Sequence, residues 1–364
     1  NGGGIYWNGT NGRLTDCTFT DNKANMMGGG VGWWSDNGII TGCTFSGNDA
    51  VSNGGGVDGA SVNVTIMNST FVNNTSNTIG GGISWGGVKS FISGCTFIGN
   101  SAISGSAIHI GSVSVNTTLI SCTFIGNSAN SSGGGIYWNG ADGKVSDSNF
   151  KGNSAVVNGG GIYWARDNGV VTGSNFINNT ADGIGGAIRW FGANGIIFNS
   201  SFTGNSAVGN GGGVYITGVN SNISHSSFTN NIAKNGNGGG VFWNGADGKV
   251  SDSNFKGNTG NIGGGVRWLG DNGTIINSNF TSNYAKNGNG GAVHWSGNNG
   301  TITTSTFIDN SAIGVGGAAY WNGANSNMSN CNFKDNHANY GNNVYWAWTV
   351  EDFLNKYNQI NDYD

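Results

Sequence analysis

Apolar and polar residues alternate over very short stretches of this chain, as in Ile40, Cys43 and Phe45, and each stretch is cut off by Gly or Asn. A period of two broken by turn formers predicts strands of about four or five residues joined at tight corners. The stretches recur as a block. Gly-Gly-Gly-aliphatic starts fall at Gly2, Gly28, Gly54, Gly80, Gly105, Gly133, Gly159, Gly185, Gly211, Gly238, Gly263, Gly290 and Gly316, with a degenerate last start at Gly341. One unit is copied almost letter for letter: GGGIYWNGADGKVSDSNFKGN from Gly133 returns from Gly238 as GGGVFWNGADGKVSDSNFKGN. Leucine-rich repeats of this length need a leucine ladder, which is missing, and helical repeats and propeller blades are longer. The pattern therefore predicts an all-β chain wound as a right-handed single-stranded parallel β-helix, or β-solenoid. About 14 coils of about 26 residues fill residues 1–346 and make a rod of roughly 65 Å.

Fixed positions within the unit support stacking. Three residues after each core Phe, from Phe19 to Phe333, stands an Asn, from Asn22 to Asn336. Such an Asn suits the left-handed backbone of a corner, and its amide can bond the Asn of the next coil. Cys or Ser stands two residues before each Phe, and Ala stands two after nearly every Asn, as a narrow close-packed tube demands. Eleven of the thirteen tryptophans fall five residues after the first Gly, and two of the three replacements in that column, Ile110 and Ile216, are apolar; the third is Gly59. Apolar replacement favours an inward Trp ladder over an exposed sugar platform.

Composition narrows the function classes. With 71 glycines, no proline, 11% aromatic and 9% charged residues, the chain matches neither an ordinary globular domain nor a disordered tract. The net charge is −4 and the basic residues stand singly, which argues against nucleic acid and against a membrane-surface patch. No apolar run approaches the roughly 18 residues of a membrane span. The chain opens inside a repeat with Asn1, so it is expected to be a processed or excised part of something longer.

Phe-x-x-Asn, as in Phe19 to Asn22, together with Gly-Gly-Ala-aliphatic, as in Gly185 to Ile188 and Gly290 to Val293, resembles the paired repeats of chlamydial polymorphic membrane proteins. The same pair occurs in adhesin-like surface proteins of methanogenic archaea, which this Asn-rich chain is also similar to. The resemblance covers essentially residues 1–346 and implies a β-helix on a cell surface with an adhesin-like role.

Candidate chemistry is confined to a few columns. The residue before each place in the Trp column faces outward and includes His109, Tyr137, Tyr163, Arg189, Tyr215, Phe242, Arg267, His294 and Tyr320. Two readings fit it: a stripe contacting a cell-surface glycan or protein, or plain cross-coil stacking on a β-face. Cys17 with Cys43, and Cys95 with Cys122, lie on neighbouring coils at a separation a disulfide accepts; small buried thiols in place of Ser fit as well. Cys331 faces Ser305 and is expected to be free. The carboxylates Asp16, Asp142, Asp147, Asp167, Asp247, Asp252 and Asp271 recur with the repeat, which points to turns rather than to a catalytic pair. Calcium at these Asp/Asn corners is a side reading without a regular Gly-Gly-x-Gly-x-Asp repeat; no other cofactor or metal is expected. Asn8, Asn116, Asn222, Asn272, Asn299 and Asn327 head Asn-x-Ser/Thr motifs and are candidate N-glycan sites if the chain is exported. Beyond Trp346, Val350, Phe353, Leu354 and Tyr357 recur at helical spacing after Thr349. A short amphipathic helix in residues 347–364 is therefore expected to cap the last coil. The expected role is a non-enzymatic extracellular adhesin-like rod or stalk. The alternative is a filament subunit joined end to end, and a polysaccharide-cleaving enzyme ranks third.

Overall fold

The computed structural model describes residues 1–347. In the coil from Gly133 to Asn158 the strands are Ile136–Trp138, Lys144–Ser146, Asn149–Lys151 and Ser154–Ala155. They are shorter than the expected four or five residues because left-handed residues interrupt the chain so often. Asp142 (φ 53°) precedes the second strand, Asp147 (φ 50°) the third and Gly152 (φ 63°) the fourth; Gly159 (φ 65°) opens the next coil. That conformation costs an ordinary L-residue roughly 1–2 kcal/mol, so Gly, Asn and Asp gather there.

Stacking these coils gives four parallel sheets of 14, 13, 13 and 12 strands, one per side, in an all-β right-handed solenoid of about 13 turns. Register holds without a slip: Ile136, Tyr137 and Trp138 pair with Ile162, Tyr163 and Trp164. No helix occurs among the described residues. The expected capping helix lies outside them.

Aliphatic ladders, as of Ile40, Ile66 and Ile92, fill the tube together with three of rings and amides. Phe rings from Phe19 to Phe333 stack in one unbroken column with centroids 4.5 to 5.3 Å apart. Indoles stack in runs, for example Trp138, Trp164 and Trp190 at 4.6 and 4.8 Å, interrupted where Gly59, Ile110 and Ile216 replace Trp. Every Trp of this column from Trp33 to Trp321 is at most 1% exposed, as the inward reading requires. Most indole N–H groups donate to a corner carbonyl, as Trp138 does to Gly140 at 3.1 Å.

The third ladder is polar and buried. Asn179 donates through Nδ2 to Asn205 Oδ1 (3.0 Å) and to the Phe150 carbonyl (2.9 Å), while its backbone N–H also reaches Asn205 Oδ1. The pattern repeats along the rod, so each amide satisfies backbone groups that the corner would otherwise orphan. One expectation is corrected here. The ladder Asn does not itself take the left-handed backbone; the preceding residue does, as at Asp21, Asn73, Asn178 and Asn230 with φ of 51° to 53°. The bend comes first, and it turns the Asn side chain inward where its partners are.

Beside the Asn ladder the middle Gly of each triplet meets backbone. A Cβ on Gly134 would stand 2.3 Å from the Ser154 carbonyl oxygen and 2.4 Å from that of Gly160. The glycine motif is therefore a contact between coils as well as a turn.

Candidate functional site

The first sheet presents one outward residue per coil between two buried ones, as in Ile136, Tyr137 and Trp138. Parallel register then sets successive outward residues face to face. His109 stacks on Tyr137 with centroids 5.0 Å apart, Tyr137 on Tyr163 at 4.7 Å, and Tyr215 on Phe242 at 4.7 Å. Arg189 fills the gap between: its guanidinium carbon lies 3.4 Å from the centroid of Phe191 and 4.4 Å from that of Tyr215. Farther along, Arg267 Nη1 bonds the His294 ring and Ser296 Oγ (2.8 Å), and His294 leans on Tyr320 at 4.4 Å. Side-chain contacts thus run from His109 to Phe242 and from Arg267 to Tyr320, and strand pairing sets Phe242 beside Arg267.

That column does not simply face water. Arg189, Phe242 and His294 are buried, and His109, Tyr137, Tyr163, Tyr215, Arg267 and Tyr320 are half-buried. The cross-coil stacking of the second reading is present, and each side chain covers its neighbour. Ring faces are spent on one another, and what remains toward solvent is the edge of the stack, with the half-buried tyrosines and Arg267 as its polar members. Phe191 belongs to this surface although the outward column misses it. It follows Trp190, is 45% exposed and lies over Arg189. A large ring one place beyond Trp, against Asn139, Ala165 and Thr217 at equivalent places, is the signal that could have found it.

Burial sets the charges of the column. It draws Arg189 and Arg267 down to about 10, so both stay cationic at neutral pH. It lowers His109 to about 4 and carries His294 well below its usual value, with the Arg267 charge adding to the effect. At the other end, Asp58, 4% exposed, is raised to about 6 by burial, opposed by a hydrogen bond from Ser84. Asp58, Ser84 and His109 pair strand to strand on consecutive coils.

The remaining candidates fall to the framework. Asp16, Asp142, Asp147, Asp247 and Asp252 occupy left-handed corner positions, with φ between 50° and 55°. Asp167 and Asp271 accept the backbone N–H groups of Ala193 and Asn298, each at 2.7 Å. Among the described residues no three His, Cys, Asp or Glu side chains gather where they could hold a metal. All five cysteines are free thiols, with Cys43, Cys95 and Cys122 buried and Cys17 and Cys331 half-buried. They take the place of serines that tie coils together, as Ser148 does by accepting from the Cys122 N–H and donating to the Ser146 carbonyl. Among the glycan candidates Asn8, Asn116, Asn272, Asn299 and Asn327 are exposed, whereas Asn222 is half-buried in a strand with a buried Oδ1. Asn272 and Asn299 belong to a corner ladder: Asn299 donates to Asn272, which donates to Asp247, both at 2.9 Å. No helix among the described residues is long and apolar enough to cross a membrane.

Residues 1–124 match the family described as right handed beta helix region, and residues 121–137 and 199–217 match the Chlamydia polymorphic membrane protein repeat. The chain carries repeats of this type. Both short matches run from a Phe-x-x-Asn ladder site through the next glycine triplet, and they include Tyr137 and Tyr215 of the outward column. No curated protein matches the chain. Among solved structures, the A-module of mannuronan C-5 epimerase from Azotobacter vinelandii is similar over 91% of this chain and 90% of that one, at 11% identity and a TM-score of 0.39. That likeness is too loose to carry any functional argument.

Proposed function

We propose that this chain is a non-enzymatic, adhesin-like rod at the cell surface that contacts a glycan or protein of a neighbouring surface through the outward column of its first sheet. The repeat type supports the surface role, since it is the repeat of polymorphic membrane proteins. The observation that carries the reading is the column itself. Across the repeat the Phe, Asn and Trp positions are nearly uniform, whereas the outward position varies among Tyr, Arg, His, Phe, Ser, Asp and Gly. Framework demands uniformity; a contact surface is where the framework leaves the choice open.

The test must leave the stack intact. Replacing Tyr137, Tyr163 and Tyr320 together by Phe removes three hydroxyls and keeps every ring. Beads coated with the triple variant should hold to cells about tenfold or more weakly than beads coated with the parent chain, at about 0.5–1.5 kcal/mol per hydrogen bond lost. Unchanged retention would shift the contact away from this sheet. Loss of polysaccharide viscosity on incubation with the purified chain would instead establish an enzyme, and endless fibres in electron micrographs would favour the filament.

A further inference from the structure

Two of the four arginines of the chain, Arg189 and Arg267, stand in the outward column. The column contains no lysine and one acid, Asp58, which Ser84, His109, Tyr137 and Tyr163 separate from Arg189. Among the described residues neither guanidinium meets a carboxylate. Arg189 Nη1 donates to the Trp190 carbonyl (2.8 Å) and to Thr217 Oγ1 (3.1 Å), while its Nε is buried with no partner. Arg267 Nη1 is held by Ser296 Oγ, the His294 ring and carbonyl oxygens. A guanidinium kept from water without a counter-charge is costly, and an incoming anion recovers part of that cost.

The rings point the same way. Their faces are covered by neighbouring rings, so a ligand meets ring edges, which are the positive rim of the quadrupole, and phenol O–H donors. Nucleic-acid bases need free aromatic faces to stack on, and this column has spent nearly all of its own. What it offers is a line one residue wide, with a phenol, a guanidinium or an imidazole at every coil except that of Phe242, successive coils standing about 4.8 Å apart. Arg189 and Arg267 stand three coils apart, about 14 Å by the same rise. A linear polymer carrying many hydroxyls and spaced acidic groups complements such a line.

We propose that the column from Tyr137 to Tyr320 binds an anionic polysaccharide laid along the rod, with an acidic group at the half-buried Arg267, the charge of the buried Arg189 attracting the polymer from beneath its ring cover, and hydroxyls on the phenols of Tyr137, Tyr163, Tyr215 and Tyr320. The proposal rests on the adhesin-like reading and names its ligand class.

Dextran, carboxymethyl-dextran and dextran sulfate share one backbone and differ in charge, so immobilising all three isolates the claim. The chain should be retained on one or both charged matrices and not on dextran, and the better of the two identifies carboxylate or sulfate as the group read. Retention should fall with salt. Arg267→Gln and Arg189→Gln should each weaken it about tenfold and lower the salt slope by about one, while Arg13→Gln on the second sheet should change nothing. Arg267 is half-buried, so its variant keeps the test valid if the buried Arg189 variant fails to fold. Equal retention on neutral dextran, indifference to Arg267→Gln, or displacement by single-stranded DNA as readily as by soluble dextran sulfate would overturn the proposal. Cell binding that persists with no retention on either charged dextran would overturn the ligand class and leave the surface-rod reading standing.

Discussion

Single residues in this rod are judged by what their neighbours one coil away require. Asn179 is a strict case, because its amide serves Asn153 and Phe150 on one side and Asn205 on the other. Asn179→Ala would strip the buried Asn153 backbone N–H and side-chain amide of their shared acceptor and the Phe150 carbonyl of one donor, at roughly 1–3 kcal/mol for each group left unpaired. A loss of about 3–5 kcal/mol in urea denaturation is expected, and a loss under 1 kcal/mol would show that the ladder is ornamental. Asp58 works in the opposite sense. Its folded pKa of about 6 lies above the ordinary 3.8, so the contribution of the neutral acid is fully present below 3.8 and is lost as pH rises through 6. By pH 7 the buried charge costs about 3 kcal/mol. Asp58→Asn should therefore raise the urea midpoint at pH 7 and leave it nearly unchanged at pH 3. His109, drawn down to about 4 from 6.5, is stabilising above 6.5 and loses that contribution as pH falls through 4. His109→Phe keeps a ring against Tyr137 and should flatten the acid limb of the stability curve between those values.

At the two corners before the third and fourth strands Gly often follows Asx one coil later, as in Asp147 and Gly173 at the first and Asn178 and Gly204 at the second, and the reason is spatial. The Asp147 side chain reaches over the next coil, so a Cβ on Gly173 would stand 2.4 Å from Asp147 Oδ1, whereas a Cβ on Gly152 meets nothing within 4 Å. Both glycines have positive φ, 57° and 63°. Gly152→Asn should thus cost under about 1 kcal/mol, since Asn accepts that backbone, while Gly173→Asn should cost clearly more through the clash. Equal melting temperatures for the two variants would refute this account. The corner of Gly152 and Asn178 shows what could be read in advance. Period, winding, and the Phe, Asn and Trp ladders were legible because each is a repeated column with one physical demand. The exact bend at Asn178 rather than Asn179 was not, since both positions carry Asn and only the direction of the side chain separates them. Nor was the burial of Arg189 legible. A lone Arg among tyrosines reads as exposed until register places Phe191 and Tyr215 on its two faces.

For the whole molecule, coils that touch almost only their neighbours make the rod modular along its axis; among the described residues Lys286, which donates to the Lys234 carbonyl two coils away, is an exception. Removing Gly133–Asn158 would join Ser132 to Gly159 and bring Phe124 onto Phe176, Asn127 onto Asn179 and Ile110 onto Trp164, each a pairing of like positions. Such a deletion variant should fold with an unchanged far-ultraviolet spectrum and be one coil, about 4.8 Å, shorter by small-angle scattering. Removing about half a coil instead, residues 133–145, would set strands of one sheet against strands of another and orphan the Asn ladder, so that variant should not fold. The contrast isolates register from mass, because the smaller deletion does the greater damage. If both variants folded alike, the coils would not be the units of stability, and the column that register assembles on the first sheet would lose its physical basis too.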